Sequence, residues 1–222
     1  MALTNRQIER YSRQIIVDKF GGIAQERLLA SSVLLIANGA DAETVLAYLV
    51  GAGVGKIALL ADLDVASRES IVSRMRDLNS DSVITARTEC ASESAHNLAL
   101  AIISDSATLA RTRELCEHPS NCAIIIARLD APTKLAVIPA RPPCPKCAAG
   151  GELLAQIGAR VENAGFIATL AALEAIKLLA RFNSAQTPTL VEFSGYTSAV
   201  RILDSNAGAV CACGGTSAEK TR

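Results

Sequence analysis

"VLLIANGADAETVLAYL", Val33 to Leu49, is the stretch on which the fold turns. Val33 to Ile36 read as a short buried strand. A turn of small residues follows, and then an apolar pattern at helical spacing. Strand, tight turn and helix are the opening of a nucleotide-binding unit, whose phosphate cradle would read G-x-G-x-x-G or close to it. Here Gly39 alone stands where such a glycine belongs, and an acidic residue, Asp41, sits among the replacements. The local architecture is kept while its glycines are largely gone.

Outward from this unit, strands and helical patterns alternate. Residues 5–17 predict a polar amphipathic helix leading to a Gly-Gly turn at Gly21 and Gly22, with a second short helix in "QERLLASS". After the strand, a helix over 42–50 stops at "GAGVG", where glycines break it. "KIALLA" is the next strand, with "DLD" at its carboxyl end. A helix at about 67–78 precedes the strand "SVITART", and "NLALAIIS" supplies a fourth strand ending at Asp105. "ATLARTRELCE" is a helix and "NCAIIIAR" a fifth strand. "TKLAVIPA", "PTLVEFS" and "SAVRILD" look like antiparallel additions, and "ENAGFIATLAALEAIKLLARF" is the clearest helix in the chain. This order predicts an α/β fold with a Rossmann-like, doubly wound, mainly parallel sheet and antiparallel C-terminal strands.

The chain has 222 residues, half of them apolar, enough for one substantial core. Its 22 basic and 22 acidic residues cancel. No net field would draw in nucleic acid or an anionic membrane. Aromatics are 3% and Trp is absent, which argues against base-stacking platforms. "MALTNRQIERYSRQIIVDKF" is charged throughout and lacks the apolar segment of a signal peptide. No apolar run approaches the roughly 18–20 residues of a membrane span. Four of the seven cysteines form two tight pairs, "CPKC" and "CAC". In a reducing compartment such pairs favour metal over disulfide, so a cytoplasmic location is expected.

Five stretches, "RYSRQIIVDKFGGIAQERLLASSVLLI", "YLVGAGVGKIALL", "PPCPKC", "ALEAIKLLA" and "CACGG", occur in that order between Arg10 and Gly214. With them the chain resembles the ubiquitin-activating-enzyme-like superfamily, in its ThiF/MoeB/HesA branch. The resemblance implies one domain over 1–222. It would comprise an N-terminal helical arm (1–30), a Rossmann-like core (31–130) and a C-terminal region of strands, long helix and cysteine pairs (131–222). Such proteins bind ATP·Mg and adenylate the C-terminal glycine of a ubiquitin-like or sulfur-carrier protein. Backbone N–H groups and cations manage the phosphate charge as the carboxylate approaches.

Carried over residue by residue, the resemblance is uneven. Arg13, in "RYSRQ", matches the arginine that family dimers lend to the partner's ATP phosphates; a surface salt-bridge residue is the plainer reading. Asp105 matches the aspartate associated with Mg and adenylation, and could equally be an ordinary cap of the following helix. The resemblance implies that Asp62, at a strand end, holds a ribose hydroxyl. Against the family's G-x-G-G-x-G the chain reads Ala37, Asn38, Gly39, Ala40, Asp41, Ala42. Each added Cβ intrudes where backbone must approach phosphate. Asp41 puts a carboxylate at a helix N-terminus, filling the phosphate position. The family's segment with an arginine and a lysine after "DLDV" is missing. Arg68 and Arg74 could substitute, or lie on a solvated helix face. The crossover after "CPKC" is shortened to "AAGGELLAQIGARV" and carries no nucleophilic cysteine. Cys116 and Cys122 read as core residues, Cys90 as an exposed thiol, and His96 and His118 as bystanders.

Cys144, Cys147, Cys211 and Cys213 match the family's structural zinc pairs, the second tightened from C-x-x-C to C-x-C. Four thiolates leave no open position, so Zn2+ would be structural. Three functions follow as expectations. The first is an adenylation-deficient subunit or adaptor, in a homodimer or paired with an active paralogue, and near a ubiquitin-like or sulfur-carrier protein. The second is an active adenylyltransferase with a rebuilt nucleotide site. The third is a binding module for another small ligand. The four missing phosphate features favour the first, in which ATP·Mg is not held.

Overall fold

The computed structural model describes residues 2–88, 96–117, 122–140, 152–161, 164–182, 188–194 and 197–202. The chain opens with two short helices, α1 (Asn5–Arg10) and α2 (Ser12–Ile15), and a third, α3 (Gly21–Ala30). The βα unit read from sequence is β1 (Ser32–Ile36) and α4 (Gly39–Ala52). Then come β2 (Lys56–Leu60), α5 (Val65–Leu78), β3 (Val83–Arg87), β4 (Leu98–Ile103) and α6 (Ser106–Glu117). The remainder is β5 (Ala123–Arg128), β6 (Thr133–Ile138), α7 (Ala164–Ala180), β7 (Thr189–Ser194) and β8 (Thr197–Ile202).

All eight strands join one sheet in the order β3-β2-β1-β4-β5-β6-β7-β8. The first five pair in parallel, and β6, β7 and β8 add antiparallel. This is the doubly wound sheet with antiparallel C-terminal strands that the alternation predicts. Strand order reverses between β1 and β4, where such sheets open a crevice at their carboxyl ends.

β4 and β5 are buried along their whole length, as parallel strands covered on both faces must be. Leu35, Leu59, Leu100 and Ile125 face one core with Leu46, Leu49, Ile71, Ala171 and Ala175 of α4, α5 and α7. Leu34, Leu60, Ile103 and Ile126 face the other with Leu109 and Cys116 of α6 and Leu153 of a connecting segment. The alternation of β residues between faces separates the two cores.

Four boundaries differ from the periodicity, the first being α3, which starts at Gly21 (φ +66°) where a Gly-Gly turn was expected ahead of "QERLLASS". The helix expected over 5–17 breaks at Tyr11, which is buried with its hydroxyl between Asn79 and Asp81. Anchoring that one side chain fixes a non-helical φ of −96° and ψ of 11° there. α4 starts three residues before 42, because Gly39 enters at φ +53°. α5 starts at Val65, because the Asp64 carboxylate accepts from the Ser67 N–H at 2.8 Å, a side-chain N-cap.

Two of the three "GAGVG" glycines, Gly53 and Gly55, serve packing. A Cβ on Gly55 would lie 1.9 Å from the Leu29 carbonyl oxygen. A Cβ on Gly53 (φ +86°) would lie 2.7 Å from the Tyr11 ring. Both sit where the N-terminal arm closes on the end of α4.

Candidate functional site

The carboxyl ends of β1, β2, β4 and β5 converge on the switch-point crevice. Asn38, the residue before α4, ties them together. Its side-chain oxygen accepts from the Asp62 backbone N–H at 2.8 Å, and its side-chain nitrogen donates to Asp105 Oδ2 at 3.0 Å. One amide thus spans β1, β2 and β4. Asn38 makes no side-chain cap to α4 itself.

Asp105 occupies the cap position expected as the plainer reading. Its Oδ1 accepts from the Thr108 N–H at 2.7 Å and the Thr108 hydroxyl at 2.9 Å. Burial pushes the Asp105 carboxyl upward, but the Thr108 and Asn38 hydrogen bonds outweigh it and hold the group below its ordinary value. Asp105 is therefore ionised at neutral pH. Asp62 is exposed at the end of β2. Gly39 has no atom within 4 Å of where a Cβ would lie, so its conformation alone asks for glycine.

Asp41 lies in the first turn of α4, buried, with its carboxylate gripped by Arg160. The two guanidinium nitrogens donate to its two oxygens at 2.5 and 2.8 Å. The Arg160 guanidinium is held above its ordinary pKa first by the Asp41 hydrogen bond, against burial, and then by the charges of Asp41 and Asp105. All three groups therefore share one electrostatic neighbourhood. The carboxylate at the helix N-terminus is paired with a cation rather than bonded to its own helix.

Arg160 is delivered by segment 152–161, which connects the α6 face to α4. Arg128, at the end of β5, donates to the carbonyls of Leu153, Ala155 and Gln156 at 2.8–3.0 Å. Its Nε and Nη2 grip the Asp130 carboxylate at 3.0 and 2.5 Å. Asp130 also accepts from the Gly158 N–H at 2.8 Å, and a backbone bridge joins Asp130 to Arg160. Burial would raise the Asp130 carboxyl, but Arg128 and the Gly158 amide hold it below the usual aspartate value.

Among the other expected residues, Arg13 is exposed on α2, with no hydrogen bond or ion pair among the described residues. Arg74 pairs with Glu43 at 2.7 Å, a surface contact. The Arg68 Nε is buried without a partner among the described residues. Cys116 is buried and Cys122 half-buried, neither in a disulfide among the described residues. His96 is held below its ordinary value by burial and by Arg87. Cys90, His118 and the zinc-pair residues Cys144, Cys147, Cys211 and Cys213 lie outside the described residues. Among the described residues no group of three or more His, Cys, Asp or Glu could hold a metal.

Sequence reasoning passed over Asn38, Arg128, Asp130 and Arg160. Asn38 carried a legible signal, a side-chain amide inside the turn that precedes α4. The others lie in stretches whose roles depend on which distant segment packs against them.

Curated proteins share extended stretches with this chain. Protein HesA (heterocyst) of Trichormus variabilis is 36% identical over 83 residues, which is 37% of this chain and 28% of that protein. The SAMP-activating enzyme E1 of Haloferax volcanii is 37% identical over 71 residues, 32% of this chain and 26% of the enzyme. The sulfur carrier protein ThiS adenylyltransferase of Escherichia coli is 43% identical over 63 residues, 28% of this chain and 25% of the enzyme. Over these stretches the chain is similar to members of the ThiF/MoeB/HesA superfamily. The matched stretches span about a quarter of the length of these curated relatives. No protein-family model matches the chain. Among solved structures, E. coli MccB with ATP superposes with a TM-score of 0.69 at 14% identity, covering 87% of this chain and 70% of MccB. PaaA superposes at 0.65 and 12% identity, covering 91% and 75%. These likenesses establish the fold alone. Among the described residues, no helix is long and apolar enough to cross a membrane.

Proposed function

We propose that this ThiF/MoeB/HesA-type protein is adenylation-deficient and works as a partner subunit or adaptor of a carrier-activating enzyme. The observation that carries the reading is the Asp41–Arg160 pair at the first turn of α4. A triphosphate on a Rossmann-like turn needs the backbone N–H groups and positive end of that helix. Here a carboxylate stands at that end, and its charge would oppose a phosphate a few ångströms away. Asn38 and Asp105 are engaged with each other and with Asp62 and Thr108. The arrangement therefore does not fit ATP·Mg as the relatives' names would suggest.

The proposed partners are a second copy or an active paralogue, with Arg13 free to reach a partner's nucleotide. A ubiquitin-like or sulfur-carrier protein is the proposed client, because the relatives include a ThiS adenylyltransferase and a SAMP-activating enzyme. Zn2+ held by Cys144, Cys147, Cys211 and Cys213 is proposed as a structural ion.

A second reading draws on the same pair. Arg160 brings a cation beside α4 and Asp105 where the shortened sequence lacks the family's own. If Asp41 yields it to a nucleotide, the chain is an adenylyltransferase with a rebuilt site. Calorimetric titration with ATP·Mg, on the native chain and on Asp41→Gly, separates the two. The adaptor reading expects no heat from the native chain at millimolar ATP. Micromolar binding, with carrier-dependent ATP–pyrophosphate exchange, would replace it by the second reading.

A further inference from the structure

We propose that the Asp41–Arg160 ion pair is a releasable latch. It fastens the far end of segment 152–161 across the carboxyl ends of the strands, while the Arg128–Asp130 pair holds the near end permanently. The two halves of this strap are built differently. In the near half, Leu153 is fully buried in the α6-side core, and Leu154 and Ile157 pack against it. Arg128 takes three strap carbonyls, and the Arg113 guanidinium of α6 takes the Leu154 carbonyl at 2.6 and 2.9 Å. The ion pair beneath it has side chains only 5% and 8% exposed.

The far half, 158–161, has no fully buried side chain. It is tied by the Gly158 N–H to Asp130, the Val161 N–H to the Leu129 carbonyl at 3.0 Å, the short backbone bridge, and the Arg160 fork on Asp41. Arg160 is 45% exposed while Asp41 is 5% exposed. Solvent and counter-ions thus reach one member of this pair and neither member of the other. Screening weakens an accessible pair far more than an enclosed one. With the latch shut, a guanidinium sits within electrostatic reach of Asp105. With it released, Asp105, Asn38 and the first turn of α4 lose their cover.

The device goes beyond the adaptor reading and holds whether or not nucleotide binds. Amide hydrogen exchange on the native full chain, in low and in high sodium chloride, tests it. High salt is expected to speed exchange at the Val161 N–H, which is bonded to the Leu129 carbonyl, about tenfold, and to leave strands β4 and β5 unchanged. Asp41→Asn should reproduce the fast rate at low salt and remove the salt response. A salt-independent rate at Val161 in the native chain would overturn the proposal, as would a native-like rate there in Asp41→Asn. The salt series needs no variant, so it decides the matter even if the substitution impairs folding.

Discussion

Arg128 is almost wholly buried, and its guanidinium is committed to Asp130 and to three backbone carbonyls. Removing one member of such a pair leaves a buried charge without its counter-ion, which costs about 3–5 kcal/mol. Arg128→Met should therefore lower unfolding free energy by that order, measured by urea denaturation at pH 7. The same pair sets an acid limb. Asp130 is held below its ordinary value in the folded chain. Its contribution is thus full above the unfolded aspartate value of about 3.9 and is lost as pH falls through the lower folded value. In Arg128→Met that share of the acid limb should shrink, seen as a flatter stability profile below about pH 4. Asp41 lies in the first turn of α4, where the sequence places it. Its partner Arg160 lies 119 residues away, and no local pattern identifies which distant arginine folds onto a given aspartate.

At the scale of elements, the glycines separate into those that packing requires and two, Gly21 and Gly39, that conformation alone requires. Gly55→Ala places a methyl 1.9 Å from the Leu29 carbonyl. Backbone cannot yield by that amount, so this variant should not reach a native fold, judged by loss of a cooperative thermal transition. Gly39→Ala meets open space and only a positive φ, costing roughly 1–2 kcal/mol, and should unfold cooperatively at a modestly lower temperature. The strands and the long helix α7 were legible because burial on both faces writes continuous apolar runs into β4 and β5. Helix starts were less so. Asp64 begins α5 two residues early, and Gly39 begins α4 three early, through a hydrogen bond and a dihedral angle that periodicity does not register. Tyr11 likewise splits one amphipathic pattern into α1 and α2, because a buried hydroxyl held by Asn79 and Asp81 outweighs continuation of a helix.

Across the whole molecule, the sheet order brings the ends of β1, β2, β4 and β5 to one crevice, and segment 152–161 crosses it. The proposed zinc belongs at this scale, since its ligands come from positions nearly seventy residues apart in sequence. Elemental analysis of the purified chain should give one zinc per chain. Chelation should lower the melting temperature without touching the α4 end of the crevice, and a metal-free chain of unchanged stability would remove zinc from the proposal. The sequence by itself determined the doubly wound sheet, its antiparallel extension and the likeness to the ThiF/MoeB/HesA superfamily, because those follow from periodicity and from short motifs read in order. It also exposed the missing glycines. Only the tertiary structure decided that Asn38 joins three strands, that Gly53 and Gly55 serve packing, and that Asp41 is answered by Arg160. Each of these depends on a contact between segments far apart in the chain, and such contacts are set by how the whole core closes.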